Sequence, residues 1–520
     1  MSFNKQDKKE KAEGAHSLLQ CTSDEVRAYL LSTKSYCLFD LPGYFDFTAV
    51  LNCAGDLVNT GEPCQYRHKE RKVRAFDQVN HLVLDNKDGA YEWRPMQLVH
   101  PVLYAELVSL ITEPQNWKDL LDRFRNFQTN SKIKCQSIPS VGGKDSQKGS
   151  DISRWVNDFE QESVRLSLDF KYVACTDIVD CYGALYTHSV AWAIHTKEKA
   201  KESRYEENLG NKIDRLLQDI HSGQTNGIPQ GNAVSNLIAE ILLGYADLKL
   251  GERLQRMGVK EYQILRYRDD YRIFTNSKED GHLILRELME VLHGLNFKLS
   301  GVKTQLSDDV VGASMKEDKM FWIQNIRLPR SAFETLLIIR GFGRRFPNSG
   351  SLVKALTNFR RRIESWSNRP SNNAVLISIV IDIMYHNPRA YPQSASILSK
   401  LLSFENSCEQ KDYIARIRHK FCAVPNKGFL YIWMQRISLS IDPDLDYCEP
   451  LCKAVVAREP IPLWGCEWLK EESKKCVESV SIVNREKLTN LDPLITLEET
   501  EAFSVGYENG SKVRFEENEG

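Results

Sequence analysis

The string Tyr267-Arg268-Asp269-Asp270 lies between two short apolar runs, Ile264-Leu265 before it and Tyr271-Arg272-Ile273-Phe274 after it. Runs this short, rich in β-branched and aromatic residues, favour strands, and a tight turn between them closes a hairpin. Two adjacent carboxylates then stand at its tip. Asp suits turn geometry on its own account. Paired anions also repel, however, so the turn gains from a nearby cation.

Two further boxes precede it. Tyr172-Val173-Ala174-Cys175-Thr176-Asp177 is an apolar strand ending in a carboxylate, followed by Asp180 and, five residues after Asp177, by Tyr182. A strand end holds a side chain rigidly, as a metal ligand requires, and an Asp there serves equally to cap the next helix. Between the acidic boxes stands Gly227-Ile228-Pro229-Gln230-Gly231-Asn232, a loop from which Asn232 or Ser235 opens an apolar helix to about Leu250. An ordinary loop before a helix explains it; so does a ligand passing close to the glycine and bonding the Gln230 amide.

Taken together, strand–Asp–aromatic, Pro-Gln-Gly-x-x-x-Ser and Tyr-x-Asp-Asp resemble motifs A, B and C of the reverse-transcriptase palm. Gly294-Leu295-Asn296-Phe297-Lys298 through Lys303-Thr304 resembles motif D. The resemblance implies two Mg2+ ions, with Mn2+ as a substitute, held by Asp177, Asp269 and Asp270. It implies Tyr182 as the ring that excludes a 2′-hydroxyl, Asp180 beside the triphosphate, Gln230 and Gly231 at the incoming nucleotide and template, and Lys303 as the group that meets the leaving pyrophosphate. Tyr182 as a core aromatic and Lys303 as a solvated lysine are the plainer alternatives.

The upstream Trp93-Arg94-Pro95 to His100-Pro101 is similar to the abortive-infection, defence-associated branch of prokaryotic reverse transcriptases, with Arg94 as a fingers-side phosphate contact. Lys72 and Arg74 are weaker candidates for that contact, and Phe321-Trp322-Ile323 stands where a primer grip is expected. The implied architecture is an α+β right-hand polymerase (fingers and palm) followed by an all-α helical-repeat C-terminal domain. Its divisions are a flexible N-terminus over 1–24, a fingers-like region over 25–170, the palm over 171–330, an α-helical thumb or repeat domain over 331–497, and an acidic tail over 498–520. Gly, Ser and Lys concentrate over 137–153, which reads as a loop, and proline breaks at Pro388, Pro392 and Pro425 separate apolar helical runs.

A polymerase must hold a polyanion, yet the formal net charge is only -1. Positive charge must therefore be local. Arg340 to Ile363 carries seven Lys or Arg and no acid, interleaved with Phe342, Phe346 and Phe359. Arg340, Arg344, Arg345, Arg360 and Arg361 are thus candidates for a nucleic-acid surface, or for a solvated helix face.

The thirteen cysteines are odd in number and scattered, which predicts reduced thiols. No long apolar run and no apolar leader core stand in the sequence, so the expectation is a cytoplasmic protein with no membrane partner. The expected function is RNA-directed DNA polymerase activity: dNTPs, an RNA template or non-coding RNA, and a DNA product, in antiviral (phage) defence. Untemplated or protein-primed synthesis and a homo-oligomer belong to the same resemblance. The competing expectation is a catalytically silent RNA-binding scaffold of a defence complex.

Overall fold

The computed structural model describes residues 16–86, 91–141, 158–202 and 208–500. Most of the expected 137–153 loop and of the acidic tail lies outside these. A hairpin of β1 (His81–Asn86) and β2 (Trp93–Leu98) precedes a five-stranded sheet of β3 (Ile133–Cys135), β4 (Tyr172–Asp177), β5 (Tyr262–Tyr267), β6 (Asp270–Thr275) and β7 (Gln305–Ser307). The order is β3-β5-β6-β4-β7; β3 runs parallel to β5 and the other pairs are antiparallel.

Both faces of the sheet are covered. Ala174, Ile264 and Ile273 point into the main core, while their neighbours Val173, Leu265 and Phe274 join a second cluster with Phe159, Leu166 and Val310. This two-residue alternation explains why each strand reads as a continuous apolar run. Helices Ala233–Arg256 and Lys278–His293 pack against the main-core side. The first is buried nearly all round. Its cap is Asn232, whose side chain accepts the Ser235 N–H at 2.8 Å, as an Asn just before an apolar run predicts.

Past the sheet the chain is helical: Ala332–Arg345, Gly350–Ile363, Asn373–His386, Tyr391–Leu402, Ser407–Phe421 and Gly428–Ser438 follow in sequence. Pro392 sits in the first turn of its helix, where a missing N–H is harmless. These helices share one continuous core with the N-terminal region. The later chain folds back: the Trp464 indole N–H donates to Leu98 O at 3.1 Å, and the Asp46 N–H to Ile482 O at 2.8 Å. The expectation of reduced thiols throughout is corrected here, since Cys53 and Cys476 form a disulfide and the other eleven cysteines are free. Among the described residues no helix is long and apolar enough to cross a membrane.

Candidate active site

The sheet register brings the acidic boxes together. β4 and β6 pair with Asp177 opposite Asp270, and β5 and β6 pair with Tyr267 opposite Asp270. Directly opposed antiparallel residues have Cα atoms about 4.5–5.5 Å apart. The pairing extends past the strand end, where the Ile178 N–H donates to Asp269 O at 3.1 Å. Two boxes some ninety residues apart thus converge on one edge of the sheet.

The turn that carries Asp269 is held from below. Arg268 adopts a left-handed backbone with φ 53°, unfavourable for a long side chain. Its N–H donates to Ser137 Oγ at 2.8 Å and its carbonyl accepts from Arg266 at 3.1 Å. Arg266 is fully buried and bridges Glu240 at 2.9 Å and Asp247 at 2.8 Å; Ser137 also donates to Glu240 at 2.5 Å, and the Tyr271 hydroxyl to Asp247 at 3.0 Å. Sequence reading missed this network. Its signal was present: Glu240 and Asp247 interrupt an apolar helix seven residues apart, hence on one face, and Arg266 interrupts a buried strand.

Around the carboxylates, charge is unfavourable as the protein stands. Burial first and the adjacent Asp270 second push Asp269 up to about 6. Burial moves Asp270 upward too, with Asp177 adding to it and Lys316 opposing it. Asp270 retains an open face to solvent. Asp177 is buried. Its Oδ2 is paired with the Lys303 ammonium, while its Oδ1 is buried without a hydrogen-bond partner. The loop over residues 298–304 is laced to the same strand end: the Ser300 N–H donates to Asp177 O at 2.9 Å, the Val179 N–H to Lys298 O at 2.9 Å, and Thr176 and Thr304 hydroxyls lie 2.6 Å apart. Lys303 is thereby placed at the acidic edge although its side chain is largely exposed.

No group of three His, Cys, Asp or Glu side chains stands ready-made around a cation among the described residues. The donor set nevertheless fits a hard divalent ion: three carboxylates on one edge, one with an orphaned buried oxygen, and a cationic side chain on the other oxygen of the same group.

Tyr182 lies on the short helix Cys181–Ala184, half-buried. Its carbonyl accepts the Ile228 N–H at 3.0 Å, and its hydroxyl donates to Asn236 Oδ1 at 2.6 Å. Asp180 caps that helix in a left-handed conformation, φ 46°, with its side chain exposed. Gln230 is tied to the β1–β2 hairpin, its carbonyl accepting the Gln97 N–H at 2.8 Å. Gly231, at φ 113°, has Phe39 and Met96 against it; a Cβ would stand 3.2 Å from Phe39 Cδ1 and 3.4 Å from Met96 Cε. Its lack of a side chain is thus used first by the protein's own packing.

Arg94 lies on β2, opposite Asp85 and two residues from Met96, which bridges to Gln230. Alternation puts Arg94 and Met96 on one face. Of the weaker candidates, Arg74 is engaged by Asp219 at 2.9 Å. Phe321-Trp322-Ile323 is helical, within Glu317–Asn325, a helix with no buried residue. In the basic stretch, Arg340 and Arg344 approach Asp382 at 2.6 and 3.7 Å, and Arg345 lies over the Phe321 ring, 4.2 Å from its centroid. Arg361 is exposed and bonds Asn358 at 3.2 Å. Arg360 corrects the expectation of a nucleic-acid contact: it is 1% exposed, donates to Ser396 Oγ at 3.1 Å and pairs with Glu364.

Residues 87–322, just under half of the chain, match the family profile described as reverse transcriptase (RNA-dependent DNA polymerase). A comparison with curated proteins found no match. Similar solved structures include apo telomerase from Candida tropicalis, at 12% identity and TM-score 0.31 over 74% of this chain and 74% of that one. A form of it truncated from the C-terminal domain shares 14% identity at TM-score 0.28, over 44% of this chain and 50% of that one. Telomerase from Candida albicans, in complex with a fragment of telomeric RNA, shares 9% identity at TM-score 0.29, over 75% and 65%. The chain thus spans half the length of the truncated telomerase it matches. Superpositions this loose transfer no residue, partner or activity. The profile match stands apart from them: over residues 87–322 the chain is similar to the reverse transcriptase (RNA-dependent DNA polymerase) family.

Proposed function

We propose that the chain extends a 3′-hydroxyl with dNTPs at the edge where Asp177, Asp269 and Asp270 meet, copying RNA into DNA. The observation that carries this reading is the register of Asp177 against Asp270, with one buried Asp177 oxygen left unpartnered. Two Mg2+ ions bound by the three carboxylates, with Mn2+ as a substitute, would acidify the 3′-hydroxyl and offset charge on the leaving pyrophosphate.

The chain's own residues supply the rest. The Arg266 network fixes the turn, so that Asp269 and Asp270 need not reorganise when substrate binds. Lys303, cationic and already drawn to the acidic edge, meets the pyrophosphate and can pass it a proton. Tyr182 closes the floor under the sugar and excludes a 2′-hydroxyl. Gln230 holds the nucleotide against the β1–β2 hairpin, from which Arg94 reaches a phosphate, and the backbone at Asp180 faces the triphosphate. Arg340, Arg344, Arg345 and Arg361 line the nucleic-acid path on the first two C-terminal helices. In this scheme 25–170 acts as fingers, 171–330 as palm and 331–497 as a thumb-like helical repeat. A cytoplasmic role in phage defence rests on the resemblance of the upstream segment, Trp93 to Pro101, to the defence-associated branch.

A second reading has one observation in its favour. The Lys303 ammonium sits on Asp177, as a permanent internal counter-ion would, and a silent palm that only holds RNA needs nothing more. Incorporation of labelled dNTPs over RNA and DNA templates separates the two. Polymerisation predicts incorporation by the wild type and none by Asp269→Asn; equal, negligible incorporation by both would leave only the scaffold.

A further inference from the structure

Helix Ala233–Arg256 is buried at every position from 233 to 247 except Asn236. The Oδ1 of that one partly exposed side chain accepts the Tyr182 hydroxyl at 2.6 Å. Tyr182 also packs against the main core, and its carbonyl accepts the Ile228 N–H, but neither contact holds the phenol oxygen. A ring attached through two rotatable bonds can swing when its far end is free. Bonded to an amide on a long buried helix, it is pinned at both ends. The helix is held by the buried positions around Asn236, so packing does not call for an amide there. The placement of an acceptor at the phenol does.

We propose that Asn236 is a positioning residue that sets how strongly Tyr182 excludes ribonucleotides. The inference rests on the reading of Tyr182 as the sugar-side barrier. With the ring held rigid, a 2′-hydroxyl can be accommodated only by breaking the Tyr182–Asn236 bond; with the bond absent, the ring yields.

The test is the ratio of kcat/KM for dATP to that for ATP, measured with Mg2+ on the wild type, Tyr182→Ala, Tyr182→Phe, Asn236→Leu and the Tyr182→Phe/Asn236→Leu double variant. A partly buried neutral hydrogen bond is worth a modest net amount, so each of the two bond-breaking single variants should lose about two- to tenfold of the ratio. The loss should come through a lower KM for ATP, and the double variant should lose no more than either single one, since all three lack the same bond. Tyr182→Phe keeps the helix untouched and carries the test if Asn236→Leu folds poorly. A wild-type ratio in Tyr182→Phe and Asn236→Leu, with Tyr182→Ala relaxed, overturns the role of Asn236 and leaves the barrier standing. A wild-type ratio in Tyr182→Ala, or no incorporation by the wild type, overturns both.

Discussion

Replacing Arg266 by Met tests the frame under the acidic turn. Arg266 is fully buried between Glu240 and Asp247, at 2.9 and 2.8 Å, and also donates to Arg268 O. Burial works against charge on both carboxylates and Arg266 offsets it, so that Glu240 is held below its ordinary range while Asp247 stays above its own. Met fills much of the volume but leaves two buried anions facing each other. Breaking a buried pair in this way costs about 3–5 kcal/mol. Without the guanidinium, both carboxyls move upward, the folded state binds protons that the unfolded state does not, and stability rises as pH falls. Denaturant unfolding followed by circular dichroism should therefore show a deficit of about 3–5 kcal/mol at pH 8 that narrows by pH 6. Changing Glu240 and Asp247 to Leu alongside Arg266→Met should recover most of it. A deficit below about 1 kcal/mol at pH 8, the scale of an exposed pair, or one that widens as pH falls, would refute the reasoning.

Three other outcomes follow from named contacts. Lys303→Met should lower kcat about 10²-fold, the scale of one general acid, with dNTP KM nearly unchanged; an equal rise in KM would make Lys303 a binding group instead. Changing Arg340, Arg344, Arg345 and Arg361 to Ala together should reduce the salt slope of single-strand binding by about 3, at about 0.7 per phosphate contact, whereas Arg360→Met should lower stability and leave the slope alone. His100 is buried, and burial first, then Arg67, hold its pKa down to about 3. Its neutral form is favoured in the folded state, so its contribution is full above pH 6.5 and is lost as pH falls toward 3, at about 1.4 kcal/mol per pH unit; His100→Phe should flatten the pH dependence of unfolding by that amount.

The acidic hairpin, strand–Asp177 and the capped helix after Gln230 were legible because each is local: alternation, turn chemistry and capping act within a few residues. Convergence was not local. Only the resemblance brought Asp177 to Asp270, and the register then paired them. The Arg266 network needed Ser137, Glu240, Asp247 and Arg266 from three segments, although the charges inside an apolar helix marked two of them. Arg360 misled because charge was counted along the chain rather than around the helix. It stands four residues after Leu356 and three before Ile363, on the stripe those residues bury. Cys53 and Cys476 lie 423 residues apart, and no pattern between them signals a bond.

In the proposed mechanism Asp177, Asp269 and Asp270 together hold divalent ions. Crystals soaked in Mn2+ and measured at the manganese absorption edge test it without reference to turnover. Anomalous peaks within coordination distance of all three carboxylates, with Lys303 displaced from Asp177, are the predicted result. An edge without manganese, and Lys303 still seated on Asp177 at saturating metal, would contradict it.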